Sequence, residues 1–129
     1  MADDTNEVQA AAEHFLHALD NLDWERFVAC WSSEPTAFYP GDDTRVDGRA
    51  AVLARFRTMF DQIPLRASGP PYLHLKPRNL RINRYGDAGL VTFMLSDNPG
   101  PTPLRSLFFV REAEAWKLAH LHATNRVLV

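Results

Sequence analysis

The chain has 129 residues, 46% of them hydrophobic and 23% charged, with a formal net charge of −2 and one cysteine. That is the size of one domain with a single sizeable core and the composition of a globular rather than a disordered or fibrous protein. No apolar run is long enough to span a bilayer, Cys30 has no partner for an internal disulfide, and the acidic start Met1-Ala2-Asp3-Asp4-Thr5-Asn6 lacks the basic and apolar regions of a signal peptide. A cytoplasmic location is expected, with a disordered tail over residues 1–6 and one domain over 7–129.

The charge is unevenly placed. Residues 1–47 hold eleven acids against two bases, Arg26 and Arg45, whereas residues 48–129 hold five acids against twelve bases. An acidic helical layer packed on a basic sheet layer accounts for the split, with an anion-binding C-terminal half as the functional alternative. Lys76, Arg78, Arg81 and Arg84 come with no nucleic-acid-binding signature and read as a solvated sheet edge, so no nucleic-acid or membrane partner is expected.

In chain order, Val8, Ala12, Phe15 and Leu19 make the apolar stripe of a first helix from about Asn6 to Leu19, with His14 and His17 facing away from it. Asp23 is a good N-cap for a second helix carrying Trp24, Phe27, Val28 and Trp31 at helical spacing, ended by Ser32-Ser33-Glu34-Pro35. Thr36-Ala37-Phe38-Tyr39 reads as a short strand before the turn Pro40-Gly41-Asp42-Asp43. Asp47 is expected to cap a third helix, Arg49 to about Ile63, with Val52, Phe56, Met59 and Phe60 as its stripe and Pro64 as its stop. Strands follow at Tyr72–Lys76, Leu80–Arg84, Ala88–Leu95, Leu104–Arg111 and Trp116–His122, with Ser96–Pro103 as a long connection. Helices first and an antiparallel meander afterwards make an α+β fold, with three helices covering one face of a curved sheet.

Two strands, Leu90-Val91-Thr92-Phe93-Met94-Leu95 and Leu107-Phe108-Phe109-Val110, are apolar on both faces. Three helices cover one face only, so a second copy of the sheet is expected on the other, as a homodimer packed through its sheets.

The three helices, the Trp-rich second one, the strand ending in Tyr39-Pro40, Asp47-Gly48-Arg49 opening the third helix and the ending Trp116-Lys117-Leu118-Ala119-His120-Leu121-His122-Ala123 resemble the nuclear transport factor 2-like superfamily, most closely its SnoaL-like branch. The resemblance spans roughly Val8 to Thr124. It implies a cone-shaped fold (a cystatin-like roll), a pocket at the wide end and a dimer, but no single activity, because the superfamily contains isomerases, dehydratases, cyclases, an epoxide hydrolase, a kinase association domain and binding proteins.

The parts of a ketosteroid isomerase site are missing here. Tyr39 stands before Pro40 where a carboxylate base belongs, Phe15 stands where the first helix supplies a tyrosine, and Leu104–Val110 contains no acid. No predicted strand contains Asp or Glu, which also weakens paired-carboxylate mechanisms, and no cofactor is expected. A hairpin centred on Ala113-Glu114 sets Arg105 opposite His122, Leu107 opposite His120 and Phe109 opposite Leu118, in a register that a one-residue bulge would break.

The expected site is therefore a pocket for a small, partly apolar molecule with an anionic or polar end. Arg105 and His122 hold that end, His120 and Tyr39 add polar contacts, and Phe15, Trp31, Phe56 and Leu107 form the walls. Glu34 is the internal alternative as a partner for Arg105. His120 and His122 lie roughly 6.5–7 Å apart along the strand, a spacing zinc sites use, but a third ligand could come only from His74, and no metal is expected. The alternatives are a dehydratase, cyclase or isomerase with His122 as general base and Tyr39 as donor, and a structural module with a filled cone.

Overall fold

The computed structural model describes residues 4–95 and 102–126. Its elements are α1 (Asn6–Asp20), α2 (Trp24–Ala29), β1 (Trp31–Phe38), β2 (Val46–Asp47), α3 (Arg49–Gln62), a 3-10 turn (Ile63–Leu65), β3 (Pro77–Tyr85), β4 (Ala88–Leu95), β5 (Thr102–Glu112) and β6 (Ala115–Arg126). One six-stranded sheet has the order β2-β1-β6-β5-β4-β3. β1 runs parallel to β6, and every other neighbouring pair is antiparallel. The expected α+β architecture is the one observed.

The core lies between α1, α3 and the inner face of the sheet. α1 buries Val8, Ala12, Phe15 and Ala18, α3 buries Val52, Phe56 and Phe60, and the strands meet them with Val91, Phe93, Leu107, Phe109, Leu118 and Leu121. The first turn of α1 comes so close to β4 that a Cβ on Gly89 would stand 2.7 Å from Val8 Cγ1. At the same end the Glu7 carboxylate accepts from Trp116 Nε1 at 2.7 Å and pairs with Arg111, while Arg84 and Arg111 each lie against the Trp116 ring. Here an acid of the helical layer meets bases of the sheet.

The second helix is shorter than its apolar spacing suggests. It ends at Ala29, and Trp31 opens β1 instead of closing α2. Two interactions formed with distant residues decide this. Leu118 N donates to Cys30 O at 2.7 Å, drawing the chain onto β6, and the Arg49 guanidinium binds the carbonyls of Val28, Trp31 and Ser32 at 2.8–3.0 Å. Pro35 sits within β1 where the pairing with β6 slips between Trp31 and Thr36, which relieves the ladder of a missing donor.

Asp47 does not cap α3. The cap position is Gly48, and Asp47 pairs with Arg45. Tyr72–Lys76 is not a strand. Tyr72 N donates to Asp20 O at 2.7 Å, and the Asp20 carboxylate accepts from Leu73 N at 2.9 Å and Leu75 N at 3.3 Å, so these donors are taken by the end of α1. His74 between them has φ 52°, incompatible with extended pairing. α1 begins at Asn6, where the apolar spacing sets its start. Of the expected Ser96–Pro103 connection, residues 96–101 lie outside the described residues, and Thr102 and Pro103 belong to β5.

Across β3 and β4, Gly86-Asp87 forms a two-residue turn, setting Arg81 opposite Thr92 and Asn83 opposite Leu90. The β5–β6 hairpin turns on Ala113-Glu114, both at positive φ, and follows the expected register as far as Phe109 opposite Leu118. There β6 carries one extra residue, Ala119. Beyond it Phe108 faces His120, Leu107 faces Leu121, Ser106 faces His122 and Arg105 faces Ala123. A single inserted residue exchanges the faces of a strand, so Leu121 and Ala123 are buried, His120 is half-buried and His122 is exposed.

Candidate ligand-binding site

Between the helices and the inner face of the sheet, the described residues enclose a cavity of about 220 Å³. α1 supplies Phe15, Leu16 and Leu19, α3 supplies Phe56 and Met59, and Tyr39 and Pro40 follow from the end of β1. The sheet adds Phe93, Leu95, Arg105, Leu107, Leu121 and Ala123, and Leu73 and Leu75 complete the wall from the segment held by Asp20. Tyr39 and Arg105 carry the polar groups of this lining.

Arg105 Nη1 donates to Leu104 O at 3.0 Å, Thr124 O at 3.1 Å and Asn125 Oδ1 at 3.4 Å. Among the described residues no carboxylate pairs with it, and Glu34, the internal alternative to a ligand anion, is exposed on β1. Burial alone depresses the guanidinium pKa. A half-buried cation satisfied by neutral acceptors keeps an uncompensated positive charge at the cavity wall, where an anion gains more than it would in open water.

The Tyr39 hydroxyl donates to Val52 O at 3.2 Å, and the Arg55 guanidinium, paired with Asp42 at 2.7 Å, stacks on the ring with its carbon 4.8 Å from the centroid. Burial raises the phenol well above its usual range. Tyr39 is thus a fixed neutral group whose proton is engaged by the backbone.

Phe15, Phe56 and Leu107 line the cavity as expected. Trp31 stands behind them, its ring 5.9 Å from that of Phe15 and 5.6 Å from that of Phe56. The histidines are on the other side of the sheet. His120 Nδ1 lies 2.7 Å from Thr36 Oγ1, Phe38 sits against both imidazoles, and the two rings are 6.5 Å apart. Burial and the neighbouring His122 lower the His120 pKa. His122 borders a depression on the outer face with Asn79, Thr92 and Ser106, to whose lining Arg105 and Phe93 also belong. No cluster of three or more metal-binding side chains occurs among the described residues.

Most of what the sequence reading missed comes from that bulge and from the Asp20 contact. Leu121 and Ala123 lie in the cavity because Ala119 is inserted, and Leu73 and Leu75 lie there because Asp20 holds their amides. The double-sided apolar pattern of Leu90–Leu95 does place Phe93 and Leu95 at a buried face.

The model for the SnoaL-like domain matches residues 8–125. The chain belongs to the SnoaL-like family. No curated protein matches it. Among solved structures, this SnoaL-like chain is similar to a candidate dehydratase of the nuclear transport factor 2-like family from Streptomyces avermitilis, with 20% identity, TM-score 0.80 and coverage of 97% of this chain and 96% of that one. It is similar to a candidate ketosteroid isomerase from Parabacteroides distasonis, with 16% identity, TM-score 0.70 and coverage of 92% and 84%. A candidate calcium/calmodulin-dependent protein kinase type II association domain from Thiobacillus denitrificans matches with 25% identity, TM-score 0.70 and coverage of 91% and 93%.

Within this SnoaL-like fold, the suggested base and donor are separated. Tyr39 lines the cavity and His122 stands on the outer face. One bound atom cannot lie within hydrogen-bond reach of both, so that pairing has no geometric basis. Cys30 offers no replacement, since its thiol is buried and pushed up to about 11.

Proposed function

We propose that the protein binds a small apolar molecule with an anionic end in the cone cavity. Arg105 holds the anion, and Phe15, Phe56, Leu107 and Leu121 contact the apolar body. The observation that carries this reading is half-buried Arg105, which lines a wall whose other polar side chain, Tyr39, is engaged by Val52 O, and whose guanidinium has carbonyl and amide partners but no carboxylate among the described residues. Such a site gains specificity from one charged contact and affinity from the apolar surround. Calorimetric titration with a set of small carboxylates and their amides tests it. The acids bind more tightly than the amides in wild type, and Arg105→Ala removes that preference. Equal binding of acids and amides would contradict the reading.

Self-association through the outer face of the sheet forms the second part of the proposal. Leu104 and Phe108 are 38% and 37% exposed there, beside half-buried Leu90, Met94 and Val110. These apolar side chains flank the polar row Thr92, Ser106 and His122, and such exposed apolar surface on a sheet face is stabilised in water when another face covers it. The likeness to a candidate kinase association domain supports assembly of copies.

A further inference from the structure

We infer that the cone is sized for a monocarboxylate carrying one ring on a short chain, and that Asp20 sets this limit by clasping the Tyr72–Leu75 segment against the cavity. The inference rests on Arg105 as the anchor of the ligand and adds what the ligand is and which residue outside the lining selects it.

Size comes first. A cavity of roughly 150 Å³ lined by apolar side chains holds a benzene molecule, and the cavity here is about 220 Å³. The difference accommodates a carboxylate and a short linker beyond one ring. Shape agrees with this. Phe15, Phe56, Tyr39 and Phe93 provide flat aromatic walls, while Leu16, Leu19 and Met59 line it from the helices.

The Tyr72–Leu75 segment, like Tyr39 and Pro40, lines this wall from outside any helix or strand. It forms no ladder with a neighbouring strand. Its amides are instead held by one residue, Asp20, through its carbonyl (Tyr72 N, 2.7 Å) and both carboxylate oxygens (Leu73 N at 2.9 Å, Leu75 N at 3.3 Å). Between those two anchored amides, Leu73 and Leu75 turn their side chains into the cavity wall. Charge-assisted bonds from a carboxylate to backbone N–H are strong and directional. Removing the charge therefore loosens these two leucines while leaving the sheet and the α1 and α3 packing in place. Asp20 is a positioning residue: it touches no ligand, and acts through Leu73 and Leu75.

The experiment is a calorimetric series of benzoate, phenylacetate, phenylpropionate, phenylbutyrate, phenylhexanoate and naphthylacetate against wild type and Asp20→Asn. Backbone hydrogen exchange at Leu73 and Leu75 and the thermal midpoint are measured on both proteins. Wild-type affinity rises to a maximum at a one-ring acid of short linker and then falls by about tenfold per added methylene, the penalty a filled pocket imposes. In Asp20→Asn the exchange of Leu73 and Leu75 accelerates, the maximum moves to longer acids or to the naphthyl acid, and benzoate binding changes less than about threefold. An affinity that keeps rising through phenylhexanoate overturns the size limit. Faster exchange with an unshifted profile overturns the role of Asp20. If no acid binds the wild type at all, the anion-binding reading falls and this inference falls with it. If Asp20→Asn is unfolded, the smaller change Leu75→Ala, which leaves the clasp intact and shortens the side chain at the wall, must shift the maximum in the same direction or the inference is wrong.

Discussion

Arg105 lies opposite Ala123 across the β5–β6 ladder, and His122, the next residue of β6, lies opposite Ser106. Arg105 therefore faces the cavity and His122 faces out, although they are on adjacent strands. The residue responsible is Ala119, the extra position between Leu118 and His120. The exchange of faces predicts opposite outcomes for neighbouring truncations. Leu121→Ala, at a side chain 5% exposed, costs about 2–4 kcal/mol, and His122→Ala stays within about 0.5 kcal/mol. Urea unfolding of the two variants checks this, and a larger loss for His122 would contradict the register.

Gly89 is a point of close approach between α1 and the sheet. A methyl group there meets Val8 Cγ1 at 2.7 Å and Cγ2 at 2.8 Å, and Val8 is fully buried with a stiff side chain. Gly89→Ala is expected to destabilise by about 1–3 kcal/mol, and Val8→Ala in the same chain to recover part of that loss. A double-mutant cycle measures the recovery, and strict additivity would show that the two positions do not collide.

Arg49 holds the junction of α2 and β1 through three carbonyls, those of Val28, Trp31 and Ser32. Arg49→Ala leaves these acceptors without a donor and costs about 2–3 kcal/mol. Arg49→Lys restores less than half, because an ammonium cannot span the fork of acceptors that a guanidinium fits. Chemical denaturation distinguishes the two, and full rescue by lysine would refute the geometric account.

Two groups give the protein opposite pH sensitivities. His120 has a lowered pKa in the folded state, from burial first and then from His122, with Arg45 also opposing its charge and Thr36 favouring it. The unfolded chain then binds the proton more readily, so stability present at about pH 8 declines as pH falls through the ordinary histidine value near 6.5. Tyr39 has a raised pKa, so the unfolded chain loses its proton first and stability declines as pH rises above about 10. His120→Asn flattens the acid limb and Tyr39→Phe the alkaline limb, the latter at a cost of about 1 kcal/mol for the bond to Val52 O. Urea midpoints across the pH range report both slopes.

For the outer face, Phe108→Glu and Leu104→Glu are expected to shift the sedimentation coefficient toward that of a single chain, with the circular dichroism unchanged. A sedimentation coefficient identical in wild type and variants would remove the proposed assembly surface.

The sequence by itself determined the order of elements and most of the core. Helical and strand periods are local properties, so the stripe Val8, Ala12, Phe15 on α1, the stripe Val52, Phe56, Phe60 on α3 and the full extent of β4 follow from residue spacing. Three features depended on partners far along the chain. Trp31 joined a strand because Leu118 and Arg49 bind the carbonyls around it, Tyr72–Lys76 lost its ladder because Asp20 takes its amides, and the faces of β6 exchanged at Ala119. The local traces are slight: the apolar alternation of β6 only changes phase between Leu118 and Leu121, and a carboxylate that binds distant amides looks like any exposed acid. For that reason the walls Phe15, Phe56 and Leu107 could be read from the chain, while the separation of His122 from Arg105 was decided by the tertiary structure.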